Sequence, residues 1–589
     1  MGDAAALNVP KVVKKLKTEL TDYSISNEGR GGLYTDNLDI DALIIDAAGL
    51  IFNLNLGGIF MLKTLRERGF KAVIFEAGND IGGTWRWNCY PGANVDSAVP
   101  EYEFSWPEVY NTWNWSTNYP DYNELRLYFD HVDKVIGVKK DTAFNTVVSG
   151  ASFDKVTGRW VITTADGRTA RAKFLILGSG FAAKRYIPAW PGIERFQGTI
   201  HHSSFWPDDH IDVRGKHCAV IGTGASGVQI SQEWAPLAGS LKVFQRTPNL
   251  ALPMGKKPLT PEEQEVSKEH YHQFFEMRER TFAGFLYDHS EKNTFDDAPD
   301  ERERFYQSLW DAGGFKFWLA NYDDLLTDAE ANKEAYKFWA KKVRDRIGDS
   351  RKRDILAPLE RPHYFGVKRP CLEQNYYEQF NRESVDVVDV SKNGVKEFDE
   401  TGITLEDGRH YDLDVIAIAT GFDITTGGMT QMGLKSVHST ELSTEWQAAA
   451  NTYLGTTVSG YPNMFHLYGP HGPTLLSNGP STIEVQGRWV ADAITKIQRE
   501  GIKYVDATQE ATKTWKGRIN ELSNATLFPT TRSTYMGGSV PGKAFEPVNY
   551  TGGIPMYKSE IRAALKDWQG FSVVKDGARN EVVKGLAKL

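Results

Sequence analysis

Four short runs of aliphatic and β-branched residues end at or near glycine. They are Ala42–Ile45, Phe174–Leu177 before Gly178-Ser179-Gly180, Cys218–Ile221 before Gly222, and Val415–Ala419 before Thr420-Gly421. Apolar strands that run into glycine turns mark parallel sheets covered on both faces, which bind ligands at the strand C-termini. Two of the runs continue into a helix-periodic stretch and a second strand. The first passes through GGIFMLKTLRERGF to KAVIFEAG, and the second through GVQISQEWAPLAGS to LKVFQRTPN. Residues from about Pro253 to Tyr364 lack glycine-ended strands and are charged and helix-periodic, so they read as a helical insertion. After about Ala419 the strand–loop character returns.

These patterns predict an α/β fold: two Rossmann-like dinucleotide-binding domains with a helical insertion. The expected parts are 38–178 and 418–589 for the first domain, 181–237 and 367–412 for the second, and 253–364 for the insertion. A chain of 589 residues is long enough for this plan, and 41% hydrophobic with 24% charged residues excludes disorder. The 68 basic and 76 acidic residues leave a formal charge of −8, with no basic block, so nucleic acid is not an expected partner. Cys89, Cys218 and Cys371 stand far apart, which excludes a disulfide framework and suits a reducing, cytoplasmic setting. The stretch Ala42 to Leu62 is long enough to span a bilayer but carries Asp46, Asn53 and Asn55, so no membrane span is expected. The final Ala587-Lys588-Leu589 approximates a peroxisomal address.

The most specific glycine motif is Gly222-Thr223-Gly224-Ala225-Ser226-Gly227, directly after the strand HCAVI. The first glycine makes the tight turn, the second admits a pyrophosphate, and the third lets the helix pack on the strand. The next strand ends in Phe244-Gln245-Arg246-Thr247, with no acid for a ribose 2′-hydroxyl. Arg246 suits a 2′-phosphate and so favours NADP, although a surface arginine at a strand end would look the same. The first unit differs. Its strand runs into Asp46-Ala47-Ala48-Gly49 and then through apolar residues to Gly57-Gly58, while Glu76 ends the next strand, where a ribose-binding acid belongs. The turn therefore looks enlarged, with a carboxylate where a glycine is wanted.

Two longer motifs carry a family resemblance. Residues Gly82-Gly83-Thr84-Trp85-Arg86-Trp87-Asn88-Cys89-Tyr90-Pro91-Gly92-Ala93-Asn94-Val95-Asp96 resemble the GGxWxxxxYPGxxxD pattern of the flavin-dependent Baeyer–Villiger monooxygenases. Residues Phe196 to Pro207, FQGTIHHSSFWP, are similar to the fingerprint FxGxxxHxxxWP of that family. Further similar segments are Lys368-Arg369-Pro370, Ala419-Thr420-Gly421-Phe422-Asp423 and Val540-Pro541-Gly542-Lys543. The resemblance runs from about residue 38 to near the C-terminus. It departs in about seven extra residues in the first glycine loop, and in Thr534, where relatives often place tryptophan.

The resemblance implies FAD and NADPH as cofactors, and a small-molecule ketone and O₂ as substrates. The ketone would become an ester or lactone by way of a peroxyflavin. Arg369 would stand beside the flavin as a fixed cation, with Asp96 orienting it; without the resemblance the two read as an ordinary ion pair. Lys368 would join Arg246 and Thr247 on the 2′-phosphate. Gly49, Gly57, Gly58, Glu76, Thr84, Trp85, Tyr90, Asp96, Thr420 and Gly421 complete the expected cofactor contacts. His202 and Trp206 would relay domain position. His201-His202 lacks a third ligand, so no metal is expected. Two rival readings share the motifs: an oxygenase of sulfides or amines, and an NADP-binding protein whose disrupted first loop has impaired FAD binding.

Overall fold

The computed structural model describes residues 36–46, 56–538 and 540–575. Its first sheet is built around β1 (Leu38–Ile45), in which Ala42, Leu43, Ile44 and Ile45 are fully buried. A strand apolar on both sides needs cover on both faces. One cover is α1 (Leu56–Glu67), which buries Ile59, Phe60, Met61, Leu62 and Leu65. The chain returns through β2 (Ala72–Phe75), parallel to β1, with Ala42 opposite Ala72. On the other side β3 (Thr169–Leu177) also runs parallel, with Leu43 opposite Leu175.

The C-terminal region adds to this sheet. The strand Met464–His466 pairs in parallel with the end of β3. The long helix Gly479–Arg499 then lies against α1, and Gly487 makes the approach possible, since a Cβ there would stand 2.5 Å from the Phe60 ring. The apolar stretch from Ala42 to Leu62 thus contributes to a strand and to the start of α1. Among the described residues no helix is long and apolar enough to cross a membrane.

The second sheet is wholly parallel. Its strands are β4 (Thr199–His202), β5 (His217–Ile221), β6 (Ser240–Gln245), β7 (Val385–Asp389) and β8 (Val415–Ile418), in the order β7-β6-β5-β8-β4. Between β5 and β6 runs α2 (Ala225–Trp234). Both β6 and β8 lie just outside the bounds 181–237 and 367–412 set from the sequence.

Between β6 and β7 come the helices Pro261–Lys268, Tyr271–Arg278, Pro299–Ala312, Ala329–Arg344 and Ser350–Leu356. This insertion leaves and returns at one place, where Leu252–Pro253 pairs in parallel with Leu372–Glu373. Its dock on the first domain is polar. Arg278, 1% exposed, donates to the carbonyls of Glu101 (2.7 Å) and Glu103 (3.1 Å) and lies 3.4 Å from the Glu484 carboxylate. The Glu484 side chain in turn accepts from the Ser105 N–H at 3.0 Å and its hydroxyl at 2.7 Å.

Removing one partner of a buried pair leaves the other charge stranded, at a cost of about 3–5 kcal/mol. Arg278→Ala should therefore destabilise the fold by about that much in a denaturant titration; a loss below about 1 kcal/mol would show the dock to be incidental. The same wall has a pH signature. Burial raises the Glu103 carboxyl to about 8, against an ordinary value of 4.5. A raised folded-state value favours the folded protein below pH 4.5 and loses that contribution as pH climbs through about 8. Glu103→Gln, which keeps a neutral group opposite the Trp115 indole, should flatten the decline in melting temperature across that window.

Candidate functional site

Three parts of the chain meet at Arg369. Its guanidinium donates to Asp96 Oδ2 from Nη2 at 3.0 Å and from Nε at 3.4 Å, and from Nη1 to the Leu475 carbonyl at 3.2 Å. From the insertion, the rings of Phe315 and Trp318 lie 4.7 and 5.8 Å from the guanidinium carbon. Phe315, Trp318 and Tyr535 are almost completely buried, yet a third of the Arg369 side chain is accessible (33%). Arg369 is thus half-buried, packed against these rings with part of its side chain accessible. Burial works against its charge, but Asp96, Tyr535 and Tyr468 outweigh that and hold it protonated. Burial also raises Tyr468 and Tyr535, which stay neutral at ordinary pH.

The second glycine turn has the form its sequence predicts. Gly222 takes φ 110°, and a Cβ there would overlap the Ala419 carbonyl. At Gly227 a Cβ would overlap the Gly222 carbonyl, so that glycine lets α2 start tight against the strand. Gly224 caps α2, and a Cβ built on it meets nothing within 4 Å. The start of α2 at Ala225 and Ser226 is thus open to a ligand, with no acid in its first turn. Thr223 Oγ1 donates to the Thr247 carbonyl at 2.8 Å, tying the turn to the end of β6. Arg246 is exposed there, and Lys368 is close enough that the Arg246 charge, second to burial, lowers its affinity for a proton. Two cations held together without an acid between them suit a phosphate dianion. These residues fit NADP.

The other residues expected as cofactor contacts divide between the two sheets. Glu76, 1% exposed, accepts from the Gly78 N–H at 2.5 Å at the end of β2. Gly82 (φ 116°) and Gly83 (φ 50°) lead into the short helix Thr84–Trp87, where Trp85 Nε1 donates to Tyr102 Oη at 3.0 Å. Tyr90 Oη donates to Gln229 Oε1 at 2.8 Å, so this motif docks on α2 of the other sheet. Gly57 and Gly58 begin α1, and Gly49 with the rest of 47–55 lies outside the described residues. Thr420 and Gly421 sit elsewhere. They follow β8 beside the Gly222 turn, and Tyr186 N–H donates to the Gly421 carbonyl at 2.8 Å. Glu76 and the Gly82–Trp85 turn fit FAD, and the Asp46 side chain packs between Gly58 and Gly178.

His202 ends β4 with its ring 5.8 Å from Phe422, and Nδ1 lies 2.7 Å from Ser204 Oγ. Burial, helped by Arg185, lowers it to about 3, so it stays neutral and cannot shuttle protons near pH 7. Trp206 packs 5.8 Å from Trp234 of α2. Among the described residues no group of three His, Cys, Asp or Glu could hold a metal ion. The sequence reading missed Tyr468, Leu475, Phe315, Trp318 and Tyr535. One signal was available: Met464–His466 is another apolar strand closely followed by glycine, at Gly469.

A wholly parallel sheet with an open glycine turn, a mixed sheet whose strands β2, β1 and β3 are also parallel, and a half-buried arginine held by Asp96 are the frame of the site. Residues 51–254 match the family model "Flavin-binding monooxygenase-like". The chain is 54% identical over 569 residues to the FAD-binding monooxygenase acrE of Aspergillus aculeatus, covering 97% of this chain and 94% of that protein. It is 38% identical to the cyclopentanone 1,2-monooxygenase of a Comamonas species, covering 94% and 100%. The solved structure of OTEMO in complex with FAD and NADP superposes with a TM-score of 0.86 at 32% identity, covering 91% of this chain and 99% of that one. The chain belongs to the flavin-dependent Baeyer–Villiger monooxygenases.

The Arg246–Lys368 pair generates a test of cofactor choice. Losing one charge-assisted contact costs about 1.5–3 kcal/mol, about 10- to 100-fold in affinity. Arg246→Ala should weaken a 2′-phosphorylated dinucleotide by that factor and leave its unphosphorylated counterpart unchanged. Equal losses for both would remove Arg246 from the 2′-phosphate.

Proposed function

We propose that the protein uses NADPH and O₂ to convert an apolar ketone to an ester or lactone beside Arg369. Family membership supports the reaction class, and the Arg369–Asp96 pair is the observation that carries its placement. Bound FAD and NADPH supply the redox chemistry; the protein's own residues bind, orient and exclude water. Arg369 presents a permanent positive charge where negative charge gathers on the ketone oxygen, and Asp96 fixes the direction in which that charge points. Phe315 and Trp318 pack apolar rings around the guanidinium, surroundings that suit a hydrocarbon ketone better than a charged one.

The nicotinamide dinucleotide would rest on Gly222, Thr223, Gly224, Ala225, Ser226 and Gly227, its 2′-phosphate held by Arg246, Thr247 and Lys368. Glu76 would take a ribose of FAD, with Gly57, Gly58, Thr84, Trp85, Tyr90 and Asp96 along the rest of that cofactor. Thr420 and Gly421, beside the Gly222 turn, would touch the nicotinamide cofactor rather than FAD.

Arg369→Ala should lower ester formation by about 10²–10³-fold, the usual loss when one preorganised charge is removed from a developing oxyanion. Ester yield by gas chromatography, with NADPH oxidation followed in parallel, separates oxygenation from cofactor turnover. Ester formation at the parent rate in that variant would refute the assignment. Asp96→Ala should show a weaker form of the same defect, because the charge stays and only its orientation is lost.

A further inference from the structure

We propose that Tyr535 is a positioning residue for Arg369 and acts through the Leu475 carbonyl that both of them hold. The proposal rests on the reading that Arg369 is the charge beside the reacting ketone. Tyr535 lies in the short turn Thr534–Met536 and is 2% exposed. Its ring packs on Phe528 with centroids 4.7 Å apart, and its backbone carbonyl accepts from the Val548 N–H at 3.0 Å. The phenol oxygen therefore has a fixed place. From it the hydroxyl donates to the Leu475 carbonyl at 3.3 Å, the same oxygen that accepts from Arg369 Nη1 at 3.2 Å. A carbonyl oxygen has two lone pairs and can serve both donors at once.

A guanidinium carries its five N–H groups in one plane. Asp96 engages Nε and Nη2 and fixes one edge of that plane, and the Leu475 carbonyl engages Nη1 and fixes the other. The second N–H on Nη1 and on Nη2 then points where those three contacts direct it. The rings of Phe315 and Trp318 attract the charge without selecting a direction within the plane. Leu475 is itself held from both sides. Its N–H donates to Asn549 Oδ1 at 2.7 Å, and Asn549, 1% exposed, donates from Nδ2 to the Tyr550 carbonyl at 3.0 Å. With the Tyr535 hydroxyl gone, that carbonyl can turn with the arginine instead of holding it.

Tyr535→Phe keeps the ring on Phe528 and removes the hydroxyl. In the FAD-loaded protein, ester by gas chromatography, NADPH oxidation and melting temperature are measured together. Ester formation should fall about tenfold, the worth of one hydrogen bond, while KM for NADPH is unchanged. A hydroxyl that served folding alone would lower the melting temperature and leave turnover of the folded protein as in the parent. A double-mutant cycle separates action through Arg369 from any other. In an Arg369→Ala background, Tyr535→Phe should change ester formation less than about twofold, because nothing is left to position. Asn549→Ala, which frees the other side of the Leu475 peptide, should repeat the pattern and decides the matter if Tyr535→Phe does not fold. Parent-rate ester formation in Tyr535→Phe, or the same tenfold loss with and without Arg369, would overturn the proposal while the functional reading stands. Parent-rate ester formation in Arg369→Ala alone would instead bring down the functional reading, and the proposal with it.

Discussion

The charge on Arg369 survives burial because Asp96 lies opposite it. The arginine comes from just after the helical insertion, the aspartate from the motif that follows β2, and the carbonyl that completes the contact belongs to Leu475 in the C-terminal region. Holding that pair therefore requires each of these segments to be in place at once. The first sheet carries the motif with Asp96, and Tyr90 in the same motif is bonded to Gln229 on α2 of the second sheet. Gly92 tightens this dock, since a Cβ there would stand 2.8 Å from the Gln229 carbonyl. The insertion contributes Phe315 and Trp318 and is clamped to the first domain by Arg278. Burying an arginine without a partner would cost several kcal/mol, so the pair couples domain position to the state of the site.

Much of this was legible in the sequence because the relevant physics is local. A strand that ends in glycine and opens a helix needs only a few adjacent residues, so the Gly222 turn, the parallel strands of both sheets and the helical insertion could be read from periodicity and spacing. Arg369 and Asp96 were named through motif resemblance. Nothing in their spacing of 273 residues marks them as neighbours. The groups packed around them were not legible for the same reason: Phe315, Trp318, Leu475 and Tyr535 come from segments that only tertiary folding brings together.

The two glycine turns show where local reading succeeds and where it stops. At the second turn each glycine has a steric reason, and the geometry shows it as collisions that a Cβ would cause at Gly222 and Gly227. Thr420 and Gly421 were expected as cofactor contacts through the resemblance, without a choice of cofactor, and β8 places them at the second sheet. A glycine-ended strand identifies a ligand-facing edge without saying which sheet owns it. That assignment depends on strand pairing, which here joins β8 to β5 across almost two hundred residues of intervening chain.

Asp46 separates two requirements that a glycine normally meets together. The turn after β1 must be small enough for close approach of strand, helix and ligand, and it must carry no negative charge. Gly178 and Gly58 satisfy the first requirement so fully that little room remains beside them, and the carboxylate takes up that room. The side chain lies beside the first turn of α1, which carries no acid of its own. The glycines at 58 and 178 thus serve the close packing of β1, α1 and β3, and the side chain at 46 fills what that packing leaves.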